Sequence, residues 1–242
     1  MSLKIPEYYC DLQTGDSRID DNYYIRDSSD IYIKNKQDKS NFINEHTIKV
    51  LPYPDTKTVK KNTFMYNKHI KVVYLDEKIV EIEDSAFFYC EDLETVYMPR
   101  GLIKLGNKVF GHCPNLKNIM LYDKLTEIGE FCFEGCIKIE SLKIPDSVLK
   151  IGRAAFKDCH KLKSIKLPNK LEKINYLTFC CCFSLEDIIV PDSVLFIHVN
   201  SFYHCKNLKE TKLILPEHLH NQKLKLLDWE NDSDSEGDDL LN

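Results

Sequence analysis

Apolar positions recur along this chain with a period of 23 residues. Phenylalanine marks the register at Phe64, Phe87, Phe110, Phe133, Phe156, Phe179 and Phe202. Six equal intervals predict one supersecondary unit stacked about seven times. Each unit exposes an apolar flank when alone, so burial requires a neighbour on either side.

With Phe as position zero, position three holds Asn67, Cys90, Cys113, Cys136, Cys159, Cys182 and Cys205. Position six is Ile or Leu throughout, from Ile70 to Leu208. Positions nine and eleven are apolar, as in Leu142 and Ile144, with Thr211 breaking the rule. Their alternation predicts a short strand with both side chains inward. Proline follows at Pro99, Pro145, Pro168 and Pro191, and its missing donor ends that strand. Asp76 and Tyr122 are exceptions there, and the last unit has Ile214 in place of proline. A second apolar pair at positions fifteen and eighteen, such as Val148 and Ile151, predicts another extended turn. Glycine follows it at Gly106, Gly129 and Gly152, read as a source of unusual dihedrals, while Asn175 and His198 replace it later. Small residues before the ring, Ala86, Ala155 and Ser201, suit a crowded corner.

These segments, notably Leu162-Lys-Ser-Ile-Lys-Leu-Pro168 and Ile151-Gly-Arg-Ala-Ala-Phe-Lys-Asp-Cys159, resemble the BspA-type leucine-rich repeat family. The likeness covers roughly residues 48 to 215. It implies a right-handed, β-solenoid-like arc, and a role in adhesion or protein recognition instead of catalysis. The fold class expected is thus a β-rich leucine-rich-repeat solenoid. Residues 1–45 form an N-terminal cap segment, 46–215 the solenoid, 216–229 a C-terminal cap and 230–242 an acidic disordered tail.

The ends depart from the period. Asn22-Tyr-Tyr-Ile25 and Asp30-Ile-Tyr-Ile-Lys34 are β-rich and suited to covering the open first unit. The tyrosines here (Tyr8, Tyr9, Tyr23, Tyr24, Tyr32) offer an alternative contact patch. Phe42, Ile48 and Val50 read as a degenerate extra repeat ended by Pro52 and Pro54. Leu219, Leu224, Leu226, Leu227 and Trp229 read as a closing helix or strand. The like-charge run 230–239 reads as a solubilising tail, with Ser233 and Ser235 open to an acidophilic kinase.

Ten cysteines in 242 residues first resemble a secreted disulfide scaffold. Six share one repeat position, so they should form a column at roughly 5 Å spacing. Their parallel directions favour reduced thiols packed as small hydrophobes. The opening Met1-Ser-Leu-Lys-Ile-Pro-Glu7 lacks an apolar signal region, so the expected location is cytoplasmic. A net charge of −5 with no basic stripe argues against nucleic acid as partner. No run of 18 apolar residues predicts a membrane span.

Outward columns supply the candidate interface. Position ten holds Tyr74, Tyr97, Met120, Lys143, Lys166, Ile189 and Lys212, with Tyr122 close by. Tyr and Met are enriched in protein contacts, so Tyr74, Tyr97 and Met120 form the proposed centre, flanked by Tyr122, Lys143, Lys166 and Ile189. Position seven alternates in sign: Lys71, Glu94, Lys117, Glu140, Lys163, Glu186, Lys209. Position seventeen repeats this at Glu81, Lys104, Glu127 and Lys150. Alternation rewards correct pairing and penalises a slip of one repeat, so these columns read as register devices.

Chemistry is harder to find. Cys180-Cys-Cys182 with His198 and His204 invites a metal or thiol-enzyme reading, but Cys180 and Cys181 fall at variable positions expected at the surface. Cys132 and Cys136 offer no evident further ligands to complete a tetrahedron. No nucleophile, base and orienting group form a trio, and no Gly-rich phosphate loop exists. The reading is a non-catalytic interaction or scaffold protein without cofactors or metal, binding a protein through its strand face. The rivals are a structural subunit of a capsid, coat or cytoskeletal assembly, and a cell-surface adhesin.

Overall fold

The protein is described by a computed structural model covering residues 31–34, 47–52 and 57–227, with side chains in the last of these except Leu224. The expected Asn22–Ile25 strand, the contact patch at Tyr8, Tyr9, Tyr23 and Tyr24, the residues Phe42 and Trp229, and the acidic run with Ser233 and Ser235 lie outside those residues, as do the side chains of Tyr32, Ile48 and Val50.

Within them the chain is a β-solenoid of about seven turns. Each coil contributes one short strand to each of two faces. The first face begins with strands Thr47–Pro52, Val72–Leu75, Thr95–Tyr97 and Asn118–Ile119, all parallel. Ile31–Lys34 pairs antiparallel with Thr47–Pro52, so a non-repeat strand lies along the first edge. The face continues as Ser141–Lys143 paired with Ser164–Lys166, then Ile188–Ile189 paired with Leu213–Ile214. The second face runs through Thr58–Val59, Glu81–Ile82, Lys104–Leu105, Glu127–Ile128 and Lys150–Ile151, then Lys173–Ile174 and Phe196–Ile197. These are the two extended segments expected at positions nine to eleven and fifteen to eighteen.

The core follows the period. In the coil opened by Phe133, the side chains of Cys136, Ile139, Leu142, Ile144, Val148 and Ile151 are all buried. The seven phenylalanine rings lie in one file, with neighbouring centroids 4.9–5.7 Å apart and planes within 19°. Offset stacking at coil spacing lets every ring be buried by its own copies.

A third side of the coil is built from turns. The N–H groups at positions −2, 0 and +2 donate to carbonyls of the next coil, as in Ser85 to Asn107 (2.8 Å), Phe87 to Val109 (3.0 Å) and Tyr89 to Gly111 (2.9 Å). To aim them, the chain takes left-handed dihedrals at positions −2 and +2. Asn62, Ser85, Lys108, Phe131, Ala154 and Leu177 do so before the ring, and Tyr66, Tyr89, His112, Gly135, Asp158, Cys181 and His204 after it. Left-handed non-glycine residues are uncommon, and here inter-coil bonds on both sides over-determine them.

The cysteine column has a sharper role than packing. Each thiol donates to the carbonyl of the phenylalanine one coil back: Cys90 to Phe64, Cys113 to Phe87, Cys136 to Phe110, Cys159 to Phe133, Cys182 to Phe156 and Cys205 to Phe179, at 3.0–3.2 Å. The same carbonyl also accepts the N–H three residues on, as Phe110 does from Cys113. A small, largely apolar donor therefore satisfies the second lone pair of a buried carbonyl. In the first coil, Asn67 instead accepts the N–H groups of His69 and Ile70 at 3.0 Å.

Three expectations need correction. First, Gly106, Gly129 and Gly152 are not dihedral devices: among the described glycines only Gly135 has a positive φ. They sit where coils nearly touch, and a Cβ on Gly129 would lie 2.4 Å from Gly106 backbone atoms. Second, the last unit keeps its proline. A 3-10 turn at Glu210–Lys212 inserts two residues, so Leu213 and Ile214 pair with Ile188 and Ile189. Leu215 and Pro216 then follow that pair as Val190 and Pro191 follow theirs, and Leu219 is buried at the place of Val194. Thr211 and Lys212 belong to the insertion. Third, Cys180 is only 4% exposed and therefore not a surface residue. A further 3-10 segment, Glu217–Gln222, and the helix Lys223–Leu227 close the stack, burying Leu226.

Candidate protein-binding surface

Strand register places the position-ten side chains. Tyr74 pairs directly with Tyr97 across parallel strands. Their rings stack with centroids 4.3 Å apart and planes 4° from parallel. Tyr74 is half-buried, while Tyr97 is 51% exposed. Burial pushes the Tyr74 phenol above its ordinary pKa, and the neighbouring Tyr97 phenol adds to this. Met120, 63% exposed, stands one coil further on, immediately after the strand Asn118–Ile119. The stacked aromatic pair offers large contact area with little side-chain entropy to lose, and the flexible thioether beside it can adapt its shape to a partner.

The rest of the column changes character. Lys143 and Lys166 pair directly and are exposed, so two like charges sit opposite one another, with Asp146 at 3.9 Å from Lys166. Ile189, 65% exposed, pairs with Ile214, which the insertion brings into the column in place of Lys212. Tyr122 stands where other coils have proline, packs partly against the core and lies under Arg100, whose guanidinium carbon is 5.4 Å from the ring centroid. The seven candidates are therefore arranged as an aromatic–methionine segment, a lysine pair and a single isoleucine, which pairs with Ile214.

Sequence reasoning missed a second apolar area. Leu195, Phe196, Tyr176 and Val199 are all exposed in the last coils, Leu195 at 68% and adjoining the second-face strand Phe196–Ile197. His198 meets the rings of Tyr176 and Phe196 edge-on. The available signal was position sixteen, where Ile103, Leu149 and Leu195 place an apolar residue beside one already committed to the core.

The alternating charge columns form bridges in which a lysine reaches back to the glutamate of the preceding coil. These are Lys117–Glu94 (2.6 Å), Lys163–Glu140 (3.1 Å), Lys104–Glu81 (3.3 Å) and Lys150–Glu127 (3.0 Å). The hydrogen bond from Lys117 holds Glu94 below the usual carboxylate range, and the bond to Glu81 raises Lys104.

Among the described residues, no three His, Cys, Asp or Glu side chains gather as a metal site. No disulfide joins the nine described cysteines. Cys180 and Cys181 have sulfur atoms 3.5 Å apart, yet burial pushes both thiols up, as it does at Cys136, Cys159, Cys182 and Cys205, the last to about 12. A buried, protonated thiol is a poor nucleophile and metal ligand.

A family model described as "BspA type Leucine rich repeat region (6 copies)" matches residues 35–117 and 80–209. The chain belongs to the BspA-type leucine-rich repeat family. Solved structures share the fold of this BspA-type array. A leucine-rich repeat protein from Bacteroides ovatus aligns with a TM-score of 0.68 and 24% identity, over 81% of this chain and 54% of that one. The T. pallidum leucine-rich repeat protein aligns at 0.63 and 22%, over 77% and 92%. A leucine-rich cell surface protein from Faecalibacterium prausnitzii aligns at 0.62 and 24%, over 78% and 54%. The BspA-type chain thus spans about half the length of two of these three. The sequence has no significant match among curated proteins.

Proposed function

We propose that this chain is a non-catalytic recognition module that binds a protein through its first strand face, centred on Tyr74, Tyr97 and Met120. The observation that carries this reading is the parallel Tyr74–Tyr97 stack, exposed on a rigid sheet beside an exposed methionine. Leucine-rich repeat proteins generally bind proteins, and their family and fold are typically non-catalytic. Among the described residues no helix is long and apolar enough to cross a membrane.

The test is affinity capture from the source cells with the wild-type chain and with Tyr74→Ala/Tyr97→Ala. The double variant should lose the principal captured protein while remaining folded, with its melting temperature lowered by only a few degrees. Identical captured sets would remove the strand face from consideration.

A second reading, a subunit of a larger assembly, is favoured by the exposed apolar side chains Tyr176, Leu195, Phe196 and Val199 near the closing end, of which Tyr176 and Phe196 share contact with His198. Capture that survives the tyrosine double variant but fails with Leu195→Asp would favour it. The proposed location remains intracellular, because six buried thiols act as hydrogen-bond donors and do so only while reduced. The adhesin alternative, in keeping with the name of the F. prausnitzii protein, requires export. A thiol titration of protein isolated from its native source separates them: near ten reactive thiols after unfolding supports the intracellular reading.

A further inference from the structure

Position two of the coil forms its own column on the turn side, separate from the strand face. Tyr66, Tyr89 and His112 stack successively, with centroids 5.4 and 4.5 Å apart. The stack then stops, because the next coil has Gly135 and the one after it Asp158. Without a side chain at Gly135, the His112 imidazole leans over its backbone; an added Cβ would lie 2.9 Å from Nδ1. Beyond the imidazole is an open groove of about 580 Å3. One wall is the face of His112 turned away from Tyr89. The other is Asp158 with His160, whose ring is held by stacking on Phe183 at 4.6 Å. Pro114 and Ile137 supply apolar lining.

Charge gives this groove a sign. Glu134 is buried behind it and bonded to Lys157 at 2.9 Å. The same ammonium stands 3.4 Å from Asp158, so one cation serves two carboxylates. Asp158 also meets His160 Nε2 only at 3.7 Å, beyond good hydrogen-bond range. Glu91, the other carboxylate of the lining, is paired with Lys68 at 3.3 Å, and His112 Nε2 stands 3.6 Å from Glu134. One carboxylate is thus left in excess over the lysines, facing a slot about one coil, or ~5 Å, thick.

The geometry points to an arginine side chain of a protein partner as the occupant. A guanidinium is flat enough to continue the interrupted stack on His112, and its fork can bond the Asp158 carboxylate. A lysine ammonium has the charge without the planar face, and a neutral ring has the face without the charge.

The test is a titration of the isotope-labelled full chain with Nα-acetyl-arginine amide, followed by amide chemical shifts, with Nα-acetyl-lysine amide in parallel. Saturable shifts are expected at Gly135 and Asp158, with weaker binding of the lysine compound. Asp158→Asn should fold normally, since asparagine tolerates the left-handed dihedral at this position. It should weaken arginine binding about tenfold. Tyr74→Ala/Tyr97→Ala should leave the titration unchanged, which keeps this site distinguishable from the strand face. Absence of shifts at Gly135, equal binding of the lysine compound, or an unaltered titration in Asp158→Asn would each overturn the assignment.

Discussion

The phenylalanine–cysteine edge and the position-ten column of the strand face are stacked by the same geometry, yet they obey different rules. At the edge, the environment of each residue is its own copy in the next coil. Phe133 touches Phe110 and Phe156, and Cys136 bonds the carbonyl of Phe110. A change in one coil therefore damages its neighbours as well, and the residue type hardly varies. At position ten, Tyr97, Met120, Lys143 and Ile189 face solvent, and residue type changes along the array. Mutual burial explains the constancy of the first column. Freedom from it makes the second available for a partner.

The largest test of this contrast is Phe133→Ala. Removing a ring from the middle of the file should cost about 3–5 kcal/mol, whereas Tyr97→Ala should cost about 1 kcal/mol or less, the worth of an exposed aromatic pair. Urea unfolding of both variants gives the comparison, and equal losses would break it.

Cys136→Ala comes next. It leaves the Phe110 carbonyl with a single donor and opens a small void, so about 2 kcal/mol should be lost. The same change at half-buried Cys181 should cost less than half of that. Circular-dichroism melts of the two variants suffice.

The thiols also carry a pH dependence. Cys205 has its pKa raised from 9.0 to about 12 by burial. In the unfolded chain the thiol ionises above about pH 9, while in the folded chain it stays protonated. Its contribution is thus complete below pH 9 and is lost as pH rises toward 12. The wild type should lose stability faster than Cys205→Ala between pH 8 and 10, by up to about 1.4 kcal/mol at pH 10. Parallel slopes in urea titrations at the two pH values would contradict the burial account.

The smallest effect belongs to the charge columns. Glu140 and Lys163 are mostly exposed, so Glu140→Lys should cost only about 0.5 kcal/mol, fading in high salt. A greater loss than that from charge inversion at Glu172, which lies outside the alternating columns, would support the register role we propose for them.

The period of 23, the inward positions and the strand-ending prolines were legible because hydrophobic spacing reports burial directly. Register across the last coil was not. Thr211 and Ile214 looked like a decayed repeat, and only strand pairing showed a two-residue turn with the pattern intact beyond it. The Tyr74–Tyr97 contact followed from spacing, but the groove at Gly135 depended on how His112 and Asp158 stand around one missing side chain.

The amino-acid sequence alone determined that this chain is a stack, which residues lie inside it and which columns face out, because a strict period leaves each apolar residue a single kind of partner. Tertiary structure decided what those columns do. The thiol–carbonyl bonds, the close approach at Gly129 and the left-handed residues at Phe131 and Ala154 exist only between coils. No local preference announces them, since their cause is a backbone group supplied from 22 to 26 residues away.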